Sequence, residues 1–360
     1  MRKIGIPLLW LALVLLIGGT LAACLPGPVA KRLMSRGLER NMLRDPIAEL
    51  PDGLHAIVCG AGGPLPGDPE RSAPCLAIVA GDSLFVVDAG SGAGRRLTGL
   101  GLQPARIEAV LLTHFHSDHI DGLGELGLLR WPAGRHEEPL PIDGPTGVES
   151  VVNGLNEAYR LDAGYRTAHH GSVVTPPSGA GFRARPFVPP SEGEATIVLE
   201  RGDLRISAFL VDHAPVSPAV GYRFDYRGRS IVVSGDTAKS ANLERFARGV
   251  DLLIHEALSP ELMGLIQAAA ERTGNEAMAA IAHDVLDYHA SPVEAAESAA
   301  TAGAGHLLFH HIVPPLPLAG LASVYLEGVD EAYEGPFTLG RDGTTISLPA
   351  GSRRIDVLED

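Results

Sequence analysis

The chain has 360 residues, of which 45% are hydrophobic and 20% charged; this suits a folded core and excludes a disordered chain. Its formal net charge of −14 argues against a polyanionic partner, since nucleic-acid binding rests on Lys and Arg neutralising phosphates, so nucleic acid is not an expected partner. Three cysteines are too few for a disulfide framework.

Arg2 and Lys3 precede an uncharged apolar run from Ile4 to Ala23, which reads as a membrane-targeting segment because about 20 residues suffice to span a bilayer. Leu21-Ala22-Ala23-Cys24 resembles a lipoprotein cleavage box with Cys24 as the lipidated residue, and an uncleaved anchor is the alternative. Lys31, Arg32, Arg36, Arg40 and Arg44 outnumber Arg2 and Lys3, which by the positive-inside rule opposes export. The expectation is a membrane-associated protein with a signal or anchor and basic spacer at 1–45. The folded domain at 46–360 is expected on the exported, cell-envelope side. Segment 31–44 reads equally as an amphipathic helix on anionic lipid or a solvated spacer helix.

From Leu54, short β-branched runs alternate with Gly and Pro: Leu54 to Cys59, Cys75 to Val79, Ser83 to Val87 and Ile107 to Thr113 predict strands. Cys59 and Cys75 read as buried strand residues, with a bridge between them the less favoured reading. A helix follows the histidines near 114, another spans about 148–159, and 163–193 reads as a long loop or inserted arm. Further strands fall at Ala195 to Glu200, Asp203 to Val211, Val220 to Tyr226, Ser230 to Ser234 and Leu252 to His255. Helices at about 260–272 and 292–303 precede strands at Leu307 to Phe309, Pro336 to Leu339 and Thr345 to Leu348. Two strand-rich blocks with interspersed helices predict two face-to-face sheets covered by helices, an α/β fold of αββα sandwich type.

His114-Phe115-His116-Ser117-Asp118-His119 leaves the apolar strand Leu111 to Thr113. Alternate residues of an extended chain face one way, so His114 and His116 share a side, while Asp118 and His119 reach a second point after the bend. Imidazole with carboxylate suits zinc, with manganese or iron as alternatives. Asp212-His213, Asp236 and His310-His311 each follow another apolar run, so all can line one rim of the sandwich.

His-x-His-x-Asp-His, a lone His, the aspartate of Ser-Gly-Asp-Thr and a C-terminal His together resemble the metallo-β-lactamase superfamily. Leu252 to Ala257, His289 with Ser291 to Ala296, Gly60 to Pro64 with Arg71, and Asp88-Ala89-Gly90 resemble its ribonuclease Z and arylsulfatase-like branch. The resemblance implies that His114, His116 and His213 hold one divalent metal, that Asp118, His119 and His311 hold another, and that Asp236 bridges them. It implies His289 paired with Glu256 as proton donor to the leaving oxygen, and Asp118 as a proton acceptor. Asp88, Asp212 and His310 are supporting residues by the same resemblance. An aspartate at 236, where β-lactam hydrolases carry cysteine, speaks against lactam opening.

The implied activity is dinuclear metal-dependent hydrolysis of a small anionic phosphodiester or sulfate ester. Ribonuclease Z-like tRNA 3′ processing is the rival enzyme reading, and a catalytically silent envelope scaffold the non-enzymatic one. Many relatives dimerise, which makes a homodimer a candidate assembly.

Overall fold

In the computed structural model, residues 27–358 are described. They fall into two compact units divided after Asp45. The first contains helix α1 (Gly27–Leu43), along which Leu33, Met34 and Leu38 are exposed between Lys31, Arg32, Arg36 and Arg40. With charges at that spacing the helix is not apolar, and among the described residues no helix is long and apolar enough to cross a membrane. The expectation of a membrane-associated lipoprotein with an exported domain is corrected to this extent: the described residues contribute no spanning helix. The apolar run Ile4 to Ala23 and Cys24 themselves lie outside the described residues.

The second unit holds two sheets. The first has eight strands in the order β15-β14-β1-β2-β3-β4-β5-β6. These are β1 (Gly53–Gly60), β2 (Cys75–Ala80), β3 (Ser83–Ala89), β4 (Ile107–Leu111), β5 (Leu140–Pro145), β6 (Phe182–Phe187), β14 (Thr345–Pro349) and β15 (Asp356–Leu358). The second has seven, in the order β13-β12-β11-β10-β9-β8-β7. These are β7 (Thr196–Arg201), β8 (Leu204–Leu210), β9 (Val220–Tyr226), β10 (Arg229–Val233), β11 (Leu252–Leu258), β12 (Leu307–Val313) and β13 (Phe337–Leu339).

The two-residue alternation of strand side chains builds both interfaces. Leu54, Ala56 and Val58 of β1 join Leu76, Ile78, Phe85 and Val87 in a core shared with Phe209, Tyr222, Ile231 and Ile254 of the second sheet. Ile57, Cys59, Ala77, Val79 and Val86 turn to the opposite face and meet Leu97, Leu123, Leu126, Val148 and Val152 from covering helices. Ala295, Ala296, Ala299 and Ala302 pack from the helix Pro292–Ala302 onto the second sheet. The αββα sandwich is therefore as expected.

Three local expectations are corrected. The helix predicted at 148–159 runs as α2 (Val148–His170) until Gly171 ends it at φ 80°, and 182–187 is edge strand β6 rather than loop. Only Val148 and Val152 of this helix are buried, so no apolar period marked its second half. The ion pairs Arg160–Glu157 and Arg166–Asp162 run along that half instead, at three- and four-residue spacing. Strand β5, Leu-Pro-Ile-Asp-Gly-Pro, is not among the predicted strands: its composition is that of a turn, yet it is buried throughout and paired in parallel with β4 and β6.

Third, Cys59 and Cys75 are bridged, tying β1 to β2 across a sequence separation of 16 in the helix-facing core. The strand-residue reading was right about burial; adjacent antiparallel strands then leave the two sulfurs facing each other. Closing a loop of this size restricts the unfolded chain, so the double variant C59A/C75A is expected to lose about 3 kcal/mol of unfolding free energy. Equal denaturation midpoints for variant and wild type would refute it.

Candidate metal centre

The chemistry-bearing residues gather where strands end. β4 ends at Leu111, and Thr113 is then fastened from both its atoms to Asp88 at the end of β3: its N–H donates to Oδ1 at 2.9 Å and its hydroxyl to Oδ2 at 2.8 Å. The same Asp88 Oδ2 lies 2.8 Å from Nδ1 of His119. Asp88 stands at φ 55°, a conformation that few non-glycine residues adopt, aspartate among the more frequent. Gly90 lets the two segments close up, since a Cβ there would lie 2.3 Å from the carbonyl oxygen of Asp118. Asp88 thus holds the histidine loop by its backbone and by one ring together.

From the second sheet, His213 follows β8 with its Nδ1 2.8 Å from the carbonyl of Tyr288. Asp236 follows β10 through Gly235, which stands at φ +63° where a Cβ would press to 2.8 Å on the carbonyl of Val220. His311 sits in β12 at φ 45°, beside a register shift between β11 and β12. That irregularity lets both His310 and His311 turn inward from one strand.

The side chains converge into groups whose candidate ligand atoms lie within 4.8 Å of one another: His114, His116, His213 and Asp236 in one, and Asp118, His119 and His311 in another. Asp236 Oδ2 is 3.3 Å from His119, 3.4 Å from His311, 3.8 Å from His114 and 4.0 Å from His213, so a single carboxylate touches both sets. His289 forms a third group with Asp236 and His311.

The donor set fits two divalent cations. Nε2 of His119, Nε2 of His213 and Oδ1 of Asp236 are buried with no hydrogen-bond partner, a costly state unless an ion takes their lone pairs. Nδ1 of His114, His119 and His213 each meets an oxygen of Thr113, Asp88 or Tyr288, which leaves Nε2 turned inward. Nε2 of His114 and Nδ1 of His116 lie 3.0 Å apart, two lone-pair nitrogens pointing at a common centre. Without cations, burial pushes His114 well below its ordinary pKa. For His119 burial acts in the same direction, but the charges of Asp236 and Asp88 outweigh it and raise the value.

The supporting residues divide. Glu256 is buried, and its Oε1 lies 2.9 Å from Nδ1 of His289 while accepting from the N–H groups of Thr237 at 3.0 Å and Ala290 at 3.3 Å. Burial opposes protonation of His289, but Glu256 outweighs it and lifts the imidazole to about 9. His310 is buried with Nδ1 unpartnered, and burial pushes it down to about 3, so it is neutral. Asp212 acts through its backbone: its N–H donates to the Thr237 hydroxyl at 3.0 Å and its carbonyl accepts from Ala238 at 2.7 Å, while its side chain is exposed. Thr113, Thr237 and Tyr288 escaped sequence reasoning; each adjoins a residue that was found, which is the signal that could have drawn attention to it.

The profile of the metallo-β-lactamase superfamily matches residues 68–302. The chain belongs to this superfamily. Within the superfamily it is homologous to ribonuclease Z: the protein of that name from Mycobacterium avium (strain 104) is 34% identical over 301 residues, 83% of this chain and all of the relative. The short form of human tRNase Z shares the fold at 20% identity and TM-score 0.59, covering 82% of this chain and 99% of that one. The metallo-β-lactamase-fold protein YhfI from Bacillus subtilis does so at 20% identity and TM-score 0.58, over 82% and 100%. The chain is a metal-dependent hydrolase of this superfamily with clusters for two divalent ions. The kinship with ribonuclease Z, along the whole of that relative, overturns the expectation from net charge that nucleic acid is not a partner. Net charge sums the whole surface, whereas cations bound at a site act on phosphate locally.

Proposed function

We propose that this superfamily member is a dinuclear metal-dependent phosphodiesterase, with residues 46–360 as its hydrolase domain. The observation that carries the reading is the His289–Glu256 pair, at 2.9 Å, set against both ligand clusters. Two divalent cations would supply Lewis acidity toward phosphoryl oxygens and would acidify a water. His114, His116 and His213 would hold one and Asp118, His119 and His311 the other, with Asp236 within reach of both sets. Asp118 accepts the proton of the attacking water. Glu256 occupies Nδ1 of His289, so Nε2 is the position from which a proton passes to the leaving oxygen. Such a donor matters most for a poor leaving group such as the alkoxide of a phosphodiester.

RNA 3′ processing is the second reading, favoured by the alignment with the M. avium ribonuclease Z along its whole length. The full chain, loaded with zinc or manganese, is to be assayed on bis-p-nitrophenyl phosphate, p-nitrophenyl sulfate and precursor tRNA. Turnover of the diester, abolished in His114→Ala, is the expected result. Cleavage of the sulfate alone would sink the phosphodiesterase reading, and rapid precursor tRNA cleavage would select RNA as the substrate.

A further inference from the structure

Tyr288 has no part in the ligand sets, yet its ring centroid lies 4.7 Å from that of the ligand His213 and 4.7 Å from that of the proton donor His289. The planes are tilted by 47° and 33°, and His213 and His289 are themselves 5.2 Å apart. The three rings make one aromatic wall beside the clusters.

The segment is held on both sides of the ring. The Tyr288 carbonyl lies 2.8 Å from Nδ1 of His213, and the next residue but one, Ala290, donates to Glu256 and accepts from the N–H of Leu258 at 2.8 Å. Upstream lie two helices, α3 (Pro260–Thr273) and α4 (Glu276–Asp284), whose Met263 and Ala282 share a small core with Leu258, Val313 and Val285. The ring is therefore preorganised, half-buried, and next to the group that protonates the leaving oxygen.

We infer that Tyr288 is a specificity-determining residue whose ring forms a stacking wall for a flat aromatic group, a nucleobase or an aryl ring, carried beside the scissile phosphoryl group. A flat face offers a sequence-tolerant stacking surface, and loss of such a platform weakens binding of a base by about one order of magnitude. The inference relies on the phosphodiesterase reading only for the phosphoryl group.

The test is calorimetry on the metal-loaded full chain with phenylphosphonate and cyclohexylphosphonate, six-carbon rings of which only the first is flat. Wild type should bind the phenyl compound more tightly, Y288L should reduce that preference about tenfold, and Y288F should keep it. Metal content, followed alongside, should stay at the wild-type level, because the backbone carbonyl that orients His213 remains. Should Y288L fail to fold, Y288M carries the test, with the same reduction of about tenfold expected and a kept preference overturning the proposal. A wild type with no phenyl preference, or a Y288L protein that keeps it, overturns the proposal. A preserved calorimetric preference in a protein that hydrolyses no phosphodiester would instead overturn the reaction and leave the stacking wall standing.

Discussion

Asp236→Ala is expected to bring bound metal below two ions per chain and to lower kcat/KM on bis-p-nitrophenyl phosphate by on the order of 10³-fold or more. One oxygen of this 3%-exposed carboxylate lies within 4.0 Å of four ligand histidines drawn from both clusters, while the other is buried with no partner. In the metal-free protein burial would raise the Asp236 pKa, but His311, His119 and His114 outweigh this and hold it well below the carboxylate range, so it is an anion before any cation arrives. Removing it takes away the shared negative ligand and leaves Asp118 as the one carboxylate of the two clusters to offset the repulsion between two cations. Asp236→Asn separates charge from shape: it keeps the volume and one acceptor oxygen, so a loss in Asn close to that in Ala assigns the effect to charge. Elemental analysis and steady-state kinetics read both quantities. An alanine variant with full metal content and wild-type turnover would refute the bridging role.

Much of this site was legible because the fold is periodic. Residues that end strands of one sandwich reach one rim, and His114, His213, Asp236 and His311 each follow an apolar run that could be recognised as a strand. The parts that escaped lack such a marker. Strand β5 carries Pro141, Gly144 and Pro145, and its burial between β4 and β6 overrides a composition that signals a turn. The second half of α2 faces solvent and carries ion pairs rather than an apolar stripe. Asp88 could be suspected, but its triple duty toward Thr113 and His119 depends on parallel pairing of β3 with β4, across 25 to 31 residues. The Cys59–Cys75 bridge depends in the same way on strand register, which two cysteines in sequence do not disclose.

The His289–Glu256 pair yields the second large effect, and it turns on the leaving group. A nitrophenolate departs without a proton, whereas the alkoxide of a dinucleoside monophosphate requires one. His289→Ala should therefore reduce kcat/KM by about 10²- to 10³-fold on dithymidine monophosphate, but only a few-fold on bis-p-nitrophenyl phosphate. The alternative is that His289, which groups with Asp236 and His311, is a third metal ligand. Metal content discriminates: a proton donor can be lost with both ions retained, a ligand cannot. Glu256→Gln sharpens the test. The amide oxygen still accepts from Nδ1, so the ring keeps its orientation, but the negative charge that lifts His289 to about 9 is gone. The active form is the protonated one, so activity on the dinucleotide should fall as pH rises through this group. Bound cations repel the imidazolium and place that limb at or below about pH 9. In Glu256→Gln the limb should move to lower pH with little change at its acidic plateau, and in His289→Ala it should vanish. An unchanged limb in both variants would assign that proton to another group.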